Sequence, residues 1–188
     1  LAFNIDGTKM FVIGNGSDSV HQYTLITGFD LSTASYDSVS FSVSSEDGNP
    51  TGLTFNSDGT KMFMIGYDSA SVHLYTLSTA FDVSTASYDN TSFSVSTADG
   101  FVSSIEFSAD GTRLFVTGTQ FGNITQFNLF GSFNISGSFS DSVFDPASQD
   151  TLPQGLAFSS DGTKMFIAGD STNAIYQYTL STAFSITS

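Results

Sequence analysis

The 188-residue sequence contains no cysteine and no tryptophan, and it has only three prolines and four basic residues. Without cysteine the chain forms no disulfide, and the sequence does not reveal the redox state of its compartment. Its longest apolar runs are far shorter than the ~20 residues that a membrane-spanning helix needs. The sequence therefore predicts no membrane span in a chain long enough for one sizeable domain.

Positive charge is scarce: 18 acidic residues face 4 basic ones, and the formal net charge is −14. Because phosphate contacts dominate the affinity of proteins for nucleic acids, we expect no nucleic-acid partner. Repulsion between acidic side chains weakens as salt shortens the Debye length. The composition therefore favours an extracellular, cell-surface or virion location in a salty medium.

A hexapeptide, Asp-Gly-Thr-Lys-Met-Phe, occurs three times and once as a variant, at spacings of 52, 52 and 51 residues. We therefore interpret residues 1–188 as a single domain of tandem repeats with the boundaries 1–52, 53–104, 105–155 and, for a partial fourth repeat, 156–188. The four basic residues share one position after the Asp-Gly pair, where each is expected to pair locally with a carboxylate. They are Lys9, Lys61, Arg113 and Lys164.

Each repeat has the pattern of four short antiparallel strands and no helical periodicity. In the second repeat Leu53–Phe55 alternates, 62–65 is a continuous apolar run, 71–77 alternates again, and a Ser/Thr-rich link leads to a fourth strand at 92–96. Aromatic residues recur at one position in every strand, where their rings are expected to fill the space between sheets. This pattern predicts an all-β fold, a β-propeller of four-stranded blades with three full repeats and a partial fourth.

The array begins at the first strand of one repeat and closes after the third strand of the fourth repeat. Three architectures are compatible with this pattern: a segment of a larger propeller, a compact four-bladed ring, or an open array that pairs with another copy. An unpaired strand edge would be a site of self-association.

The stretch Gly155–Gly169, with Asp161-Gly162 between two strands, resembles the first hairpin of YVTN-type and lactonase-like propeller repeats. Those repeats usually have Pro before Asp-Gly, whereas this chain has Ile5, Ser57, Ala109 and Ser160. The unit is also longer than the ~40-residue blade of such repeats, with the extra length at 78–89. It is similar to tandem repeats of large surface or virion proteins of marine bacteria and their phages. The resemblance implies a propeller but leaves function open.

The Asp-Gly pairs themselves are predicted to be structural turns, in which Asp bonds its own backbone and Gly takes the left-handed conformation. A metal-binding role is the alternative for these aspartates. The pairs are Asp6-Gly7, Asp58-Gly59, Asp110-Gly111 and Asp161-Gly162. The series Asp30, Asp82 and Asn134 is explained in the same way by local turns.

A better metal candidate is a second series, Asp47, Asp99 and Asp150, which lies where the chain crosses from one blade to the next. Calcium accepts carboxylates in flexible geometry, although each of these residues also begins a turn. Glu106 replaces the Ala or Thr found in the first strand of the other repeats. It is interpreted either as a solvated residue or as a metal ligand or general base. No other cofactor is expected.

The third repeat departs most from the others and is the predicted location of any specific contact, through Phe101, Gln120, Phe121 and Asn123. The alternative is that these differences arose by sequence drift between duplicated copies. His21 and His73 share a position that becomes Thr125 and Tyr176, so we interpret them as exposed strand residues without a catalytic role.

Two functions remain open. The near-identity of the repeats favours a non-enzymatic interaction or structural scaffold, with adhesion to a protein or glycan partner. The alternative is a lactonase-like, metal-dependent hydrolase, which would need unlike Asp, Glu and Asn side chains around one ion. The sequence favours the scaffold over the enzyme.

Overall fold

Among residues 1–187, fifteen strands form four antiparallel sheets, which we call blades 1 to 4. The computed structural model describes residues 1–187, with the side chains of 138–141 excepted. Blade 1 contains β1 (Ala2–Phe3), β2 (Lys9–Gly14), β3 (Ser19–Leu25) and β4 (Ala34–Ser42). Blade 2 contains β5 (Pro50–Phe55), β6 (Lys61–Gly66), β7 (Ser71–Leu77) and β8 (Ala86–Ser94). Blade 3 contains β9 (Val102–Phe107), β10 (Arg113–Gly118), β11 (Ile124–Leu129) and β12 (Ser138–Phe144). Blade 4 contains β13 (Pro153–Phe158), β14 (Lys164–Gly169) and β15 (Ala174–Thr179).

In every blade the strands pair in chain order, as in a meander. The short polar turns that follow the first strand make this pairing local. In blade 2, for example, Phe55 pairs with Met62 across the Asp58-Gly59 turn. Four-stranded meanders repeated along a chain are the blades of a β-propeller, which confirms the predicted fold class. Among residues 1–187, blade 4 has three strands.

The fourth strand of the blade begins earlier than the sequence pattern indicated. In the second repeat it covers Ala86–Ser94 rather than 92–96. A short 3-10 helix, Val83–Thr85, precedes it, and the Asp82 side chain accepts a hydrogen bond from the Ser84 backbone N–H at 3.0 Å. Within the segment 78–89, which makes this repeat longer than a 40-residue blade, residues 83–89 are therefore helix and strand and not a link.

The chain divides into two compact units, Leu1–Ser92 and Phe93–Ser188. The core of the first unit is made of Phe11, Val20, Val43, Leu53, Met62, Met64, Tyr75, Leu77 and Val83. The core of the second is made of Phe115, Ile124, Leu156, Met165, Ile167, Leu180 and Ile186. Most of these residues lie on β-strands, on the faces that successive blades present to each other.

Aromatic rings fill the space between successive blades within each unit, as the sequence predicted. In the first unit, the Phe11 and Phe55 ring centroids are 4.6 Å apart, and Phe41 meets Tyr75 edge-on at 5.6 Å. The second unit repeats both contacts. Phe115 lies 4.5 Å from Phe158, and Phe144 lies 5.0 Å from Tyr178. Tilted and edge-on arrangements of this kind add to the free energy gained from burial alone.

Candidate functional site

The Asp-Gly pairs adopt the geometry of tight turns. Gly59 has a φ of 73°, and Asp58 Oδ1 accepts a hydrogen bond from the Thr60 backbone N–H at 2.9 Å. The hydroxyl and backbone N–H of Thr60 hold the pKa of Asp58 below its usual value, because they stabilise the ionised carboxylate. In the other three pairs the glycine has the same conformation and the Asp carboxylate likewise accepts from the backbone N–H of the following Thr. These pairs are Asp6-Gly7, Asp110-Gly111 and Asp161-Gly162.

A phenylalanine ring covers each of these turns, which the sequence did not indicate. The backbone N–H of Phe81 donates to the Gly59 carbonyl at 3.0 Å, and the ring lies where a Cβ atom on Gly59 would be. Phe81 itself has a φ of 54°, so the chain places a bulky residue in the left-handed region. The equivalent residues, Phe29, Phe133 and Phe184, cover Gly7, Gly111 and Gly162 in the same way.

The second aspartate series, which we call the crossing aspartates, is buried: Asp47, Asp99 and Asp150 are 3%, 2% and 1% exposed. Asp47 Oδ1 accepts from the Asn49 backbone N–H and Oδ2 from the Ser69 backbone N–H, both at 2.8 Å. Each crossing aspartate thus joins the loop entering a blade to the loop between that blade's second and third strands. Both oxygens of this buried carboxylate therefore have hydrogen-bond partners.

The other two crossing aspartates make corresponding contacts. Asp99 accepts from the backbone N–H groups of Phe101 at 2.7 Å and of Phe121 at 2.9 Å. Burial opposes the ionisation of Asp150, but hydrogen bonds from Thr172 and from the Leu152 backbone N–H outweigh it and lower the pKa of Asp150.

No group of three His, Asp or Glu side chains among residues 1–187 is arranged to hold a metal ion, the side chains of 138–141 not being included. The crossing aspartates are instead engaged with backbone N–H groups of their own blades. The metal site suggested for Glu106, Asp47, Asp99 and Asp150 stays a prediction.

Glu106 lies on β9, opposite Phe115 in the register of blade 3. It lines a cleft of about 150 Å³ together with Phe107, Ala109, Phe158, Ser159, Ser160 and Phe184. Burial against these largely apolar walls raises the pKa of Glu106 to about 7. A carboxyl group with a pKa near neutrality can accept or donate a proton at physiological pH. Of the residues singled out from the sequence, it has the surroundings best suited to acid–base chemistry.

The structure gathers three of the four irregular residues of the third repeat around Asp99. The Gln120 and Phe121 backbone N–H groups both donate to its carboxylate, and so does that of Phe101. The rings of Phe101 and Phe121 are 44% and 56% exposed. Asn123 is half-buried next to β11. The irregular loop therefore presents two aromatic side chains to solvent from a backbone that Asp99 holds in place.

The interpretation of the two histidines as exposed strand residues is wrong for His73, which is 6% exposed, while His21 is half-buried. His73 Nε2 lies 3.1 Å from Ser69 Oγ, and its ring packs on Tyr88. Burial lowers the pKa of His73, although Asp47 and Glu46 partly oppose this effect. The alternating sequence of β7 suggests a strand with one exposed face. Both faces are covered instead, as the burial of Val72 to Tyr75 shows, so the sequence did not predict that His73 is buried.

Two of the repeated basic residues, Lys9 and Arg113, donate hydrogen bonds to main-chain carbonyl oxygens, partners that the sequence did not indicate. Lys9 Nζ donates to the carbonyl oxygen of Phe81, in the following blade, at 3.1 Å. Arg113 donates to the carbonyl oxygens of Ala183 and Phe184 at 3.0 and 2.8 Å. Two of these carbonyls, those of Phe81 and Phe184, belong to the residues that cover an Asp-Gly turn, and the third belongs to the residue before Phe184. Sequence reasoning missed the contact because main-chain acceptors have no sequence signature.

Comparison with protein-family models gives no match, and comparison with curated proteins gives none either. Solved structures do match. A candidate 6-phosphogluconolactonase of Bacteroides uniformis has 17% sequence identity and a TM-score of 0.63 over 94% of this chain and 48% of its own. The periplasmic gluconolactonase of Pseudomonas aeruginosa has 16% identity and a TM-score of 0.61 over 94% and 48%.

The β-propeller domain of Cps50 from Myceliophteria thermophila is also similar, with 11% identity and a TM-score of 0.57 over 96% of this chain and 53% of that one. At these identities the likeness shows the fold alone, and the chain is a β-propeller repeat protein. It spans about half the length of these solved structures. No helix among the described residues is long and apolar enough to cross a membrane.

Proposed function

We propose that this chain is an interaction and structural scaffold displayed at a cell or virion surface. The proposal rests on the hydrogen bonds that the repeated aspartates accept. In the turns and at the blade crossings they accept hydrogen bonds from their own backbone and so build the blades. A propeller enzyme needs unlike polar groups that converge on one substrate, whereas these groups are repeated and already engaged.

The net charge of −14, which favours solubility in a salty extracellular medium, supports the same function. The surface best suited to a specific partner, a protein or a glycan, is the irregular loop of blade 3. There Phe101 and Phe121 offer flat, exposed rings, which suit stacking against an apolar sugar face or a partner's side chain.

Binding to an immobilised glycan array and to intact bacterial cells tests this proposal. A fluorescently labelled chain is expected to bind saturably, and the double variant Phe101→Ser/Phe121→Ser is expected to lose most of that signal. Ile5→Ser is the matched control, because Ile5 is 76% exposed and lies on the turn of blade 1. Equal binding by all three proteins would exclude the blade 3 loop as the binding surface.

A lactonase-like hydrolase is the second candidate, favoured by Glu106 in its cleft and by the names of the similar structures. In that function Glu106 would act as the general base. Acid release from glucono-δ-lactone, measured near pH 7 with added calcium and with a chelator, tests it. The scaffold proposal expects the same rate as buffer. Turnover that Glu106→Gln abolishes would instead establish the enzyme.

A further inference from the structure

The cleft beside Glu106 brings one carboxyl group together with three phenylalanine rings. Phe107 follows Glu106 on β9, Phe158 ends β13, and Phe184 covers the Asp-Gly turn of blade 4. We call this space the Glu106 cleft. These residues belong to blades 3 and 4, and so to one compact unit of the chain.

The rings of the cleft have a structural role that the first unit repeats. The ring centroids of Phe158 and Phe184 are 5.4 Å apart, and those of their equivalents in blade 2, Phe55 and Phe81, are 5.5 Å apart. The carboxyl group is not repeated. At the position of Glu106 the other repeats have Ala2, Thr54 and Ala157. Packing between blades therefore explains the rings, but it does not explain the glutamate.

The polar character of the cleft comes mainly from this carboxyl group. Ser159 Oγ donates to Asp161 Oδ1 at 2.7 Å and accepts from the Lys164 backbone N–H at 2.9 Å, so the turn already uses that hydroxyl. Glu106 is half-buried, which leaves its carboxyl group within reach of a small molecule that enters the cleft. Burial beside apolar walls penalises the ionised carboxylate and raises the pKa of Glu106 to about 7. A cation in the cleft would offset this penalty.

The walls of the cleft determine which kind of cation fits. Calcium and magnesium take about six or more oxygen ligands, and no group of three His, Asp or Glu side chains is placed to hold a metal in residues 1–187, leaving aside the side chains of 138–141. A primary ammonium group brings three N–H donors that each need an acceptor. A quaternary ammonium group has no N–H to satisfy, and the faces of aromatic rings attract it.

We propose that the Glu106 cleft binds a small quaternary ammonium ion. The rings of Phe107, Phe158 and Phe184 contact its methyl groups, and the Glu106 carboxylate balances its charge. A trimethylammonium group has four heavy atoms, each about as large as a water molecule with its ~30 Å³ share of volume. The group therefore fits a cleft of about 150 Å³.

This inference goes beyond the proposed function, because a scaffold that binds a partner through Phe101 and Phe121 does not need the Glu106 cleft. It also differs from the hydrolase alternative. There Glu106 would accept a proton from the reacting molecule, whereas here its carboxylate keeps its charge and holds the ligand.

Titration of the isotope-labelled chain with choline chloride, followed through its backbone amide signals by NMR, tests the proposal. The titration is made at about pH 8, where a carboxyl group with the pKa of Glu106 is mostly ionised. Sodium chloride keeps the ionic strength constant. The amide signals of Ser160 and Phe184 are expected to shift until they saturate. Those of their equivalents in blade 2, Ser57 and Phe81, are expected to stay in place.

Two variants separate the charge of Glu106 from the general acidity of the chain. Glu106→Gln keeps the size of the side chain and removes its charge, so it is expected to weaken choline binding roughly tenfold. Its amide spectrum shows directly whether it is folded. Asp170→Asn removes one charge at an exposed residue of the same unit and is expected to bind choline as the unchanged chain does.

Two further ligands test which part of choline is recognised. Dimethylbutanol, in which carbon replaces the ammonium nitrogen, keeps the methyl groups and lacks the charge, so it is expected to bind roughly tenfold more weakly than choline. Phosphocholine has the same head group with a phosphate attached, and the net charge of −14 opposes it. It is also expected to bind more weakly, whereas tighter binding would overturn the assignment to a small cation and indicate a phosphocholine head group instead.

The proposal is overturned if choline shifts no amide of the cleft to saturation, or if Glu106→Gln binds choline as tightly as the unchanged chain. Dimethylbutanol that binds as tightly as choline would overturn it as well, because the cleft would then recognise only apolar groups. So would methyl glucoside that binds more tightly than choline, which would assign the cleft to sugars. None of these results decides the cell and glycan-array assay, whose variants lie at Phe101 and Phe121.

Discussion

The carboxylate of Asp47 occupies the space beside Gly66 where any other residue would place its Cβ atom. Gly118 and Gly169 have the same relationship with Asp99 and Asp150. A side chain at Gly66 would therefore displace a buried carboxylate from the backbone N–H groups that it accepts from. We expect Gly66→Ala to lower the free energy of unfolding by about 1–3 kcal/mol, as overpacking of a core does. Urea unfolding followed by circular dichroism measures it.

Blade 1 supplies the control for that experiment. Gly14 holds the same repeat position as Gly66, but nothing lies within 4 Å of the place where its Cβ atom would be. Gly14→Ala is expected to change the unfolding midpoint little or to raise it slightly, since alanine restricts the unfolded chain. Equal losses in the two variants would mean that the strand backbone, and not the crossing aspartate, requires glycine.

The two phenylalanines Phe115 and Phe166 share one repeat position and differ in how completely they are covered. Phe115 is 0% exposed and Phe166 is half-buried. We expect Phe115→Ala to cost about 3–5 kcal/mol of unfolding free energy, as usual for a buried ring. Phe166→Ala is expected to cost less than about 2 kcal/mol at low protein concentration, because less apolar area is lost. Similar costs for the two variants would show that another surface covers Phe166 in solution.

Glu106 is expected to make stability fall as pH rises from about 4.5 to about 7. Its pKa is raised from 4.5 to about 7 in the folded chain, so between these values the folded state holds a proton that the unfolded state has lost. Stability from this group is full below pH 4.5 and is lost as pH rises through 7. We expect Glu106→Gln to remove this loss, which a shift of this size makes about 3 kcal/mol. Thermal melts at intervals from pH 4 to 8 measure it. Parallel curves for both proteins would contradict a raised pKa for Glu106.

Calcium is expected to leave the melting temperature unchanged, because both oxygens of Asp99 already accept backbone hydrogen bonds. Melts with millimolar calcium chloride and with a chelator measure the difference. A rise in melting temperature that is lost in Asp99→Asn would instead support the predicted calcium site at the crossing aspartates. Asp170→Asn, at an exposed aspartate, controls for nonspecific effects of removing one negative charge.

Much of the fold could be predicted from the sequence because the same pattern occurs in each repeat. The Asp-Gly turns, the meander and the aromatic contacts between blades each recur at a fixed spacing, so one interpretation had to fit several copies. The early start of β8 was missed because Ser, Thr and Asp dominate residues 82–90, where Asp82 caps a 3-10 helix. Composition alone does not distinguish such a segment from a loop.

The contacts of the candidate sites were harder to predict because one partner is usually main chain. Lys9 was expected to pair with a carboxylate and instead donates to the Phe81 carbonyl. His73 was expected to be exposed and is buried against Tyr88. The raised pKa of Glu106 depends on Phe158 and Phe184, which lie some 50 and 80 residues away along the chain. Burial by distant residues is a property of packing and leaves no local pattern.

The nearly constant separation between contacting positions also affects how such a protein can change its length. Gln22 accepts from Val83, 61 positions later, and Gln126 accepts from Ile186, 60 positions later. A genetic duplication or deletion of one whole repeat would preserve this separation for every remaining pair. The contacts described between blades 1 and 2 and between blades 3 and 4 therefore set no limit on the number of repeats.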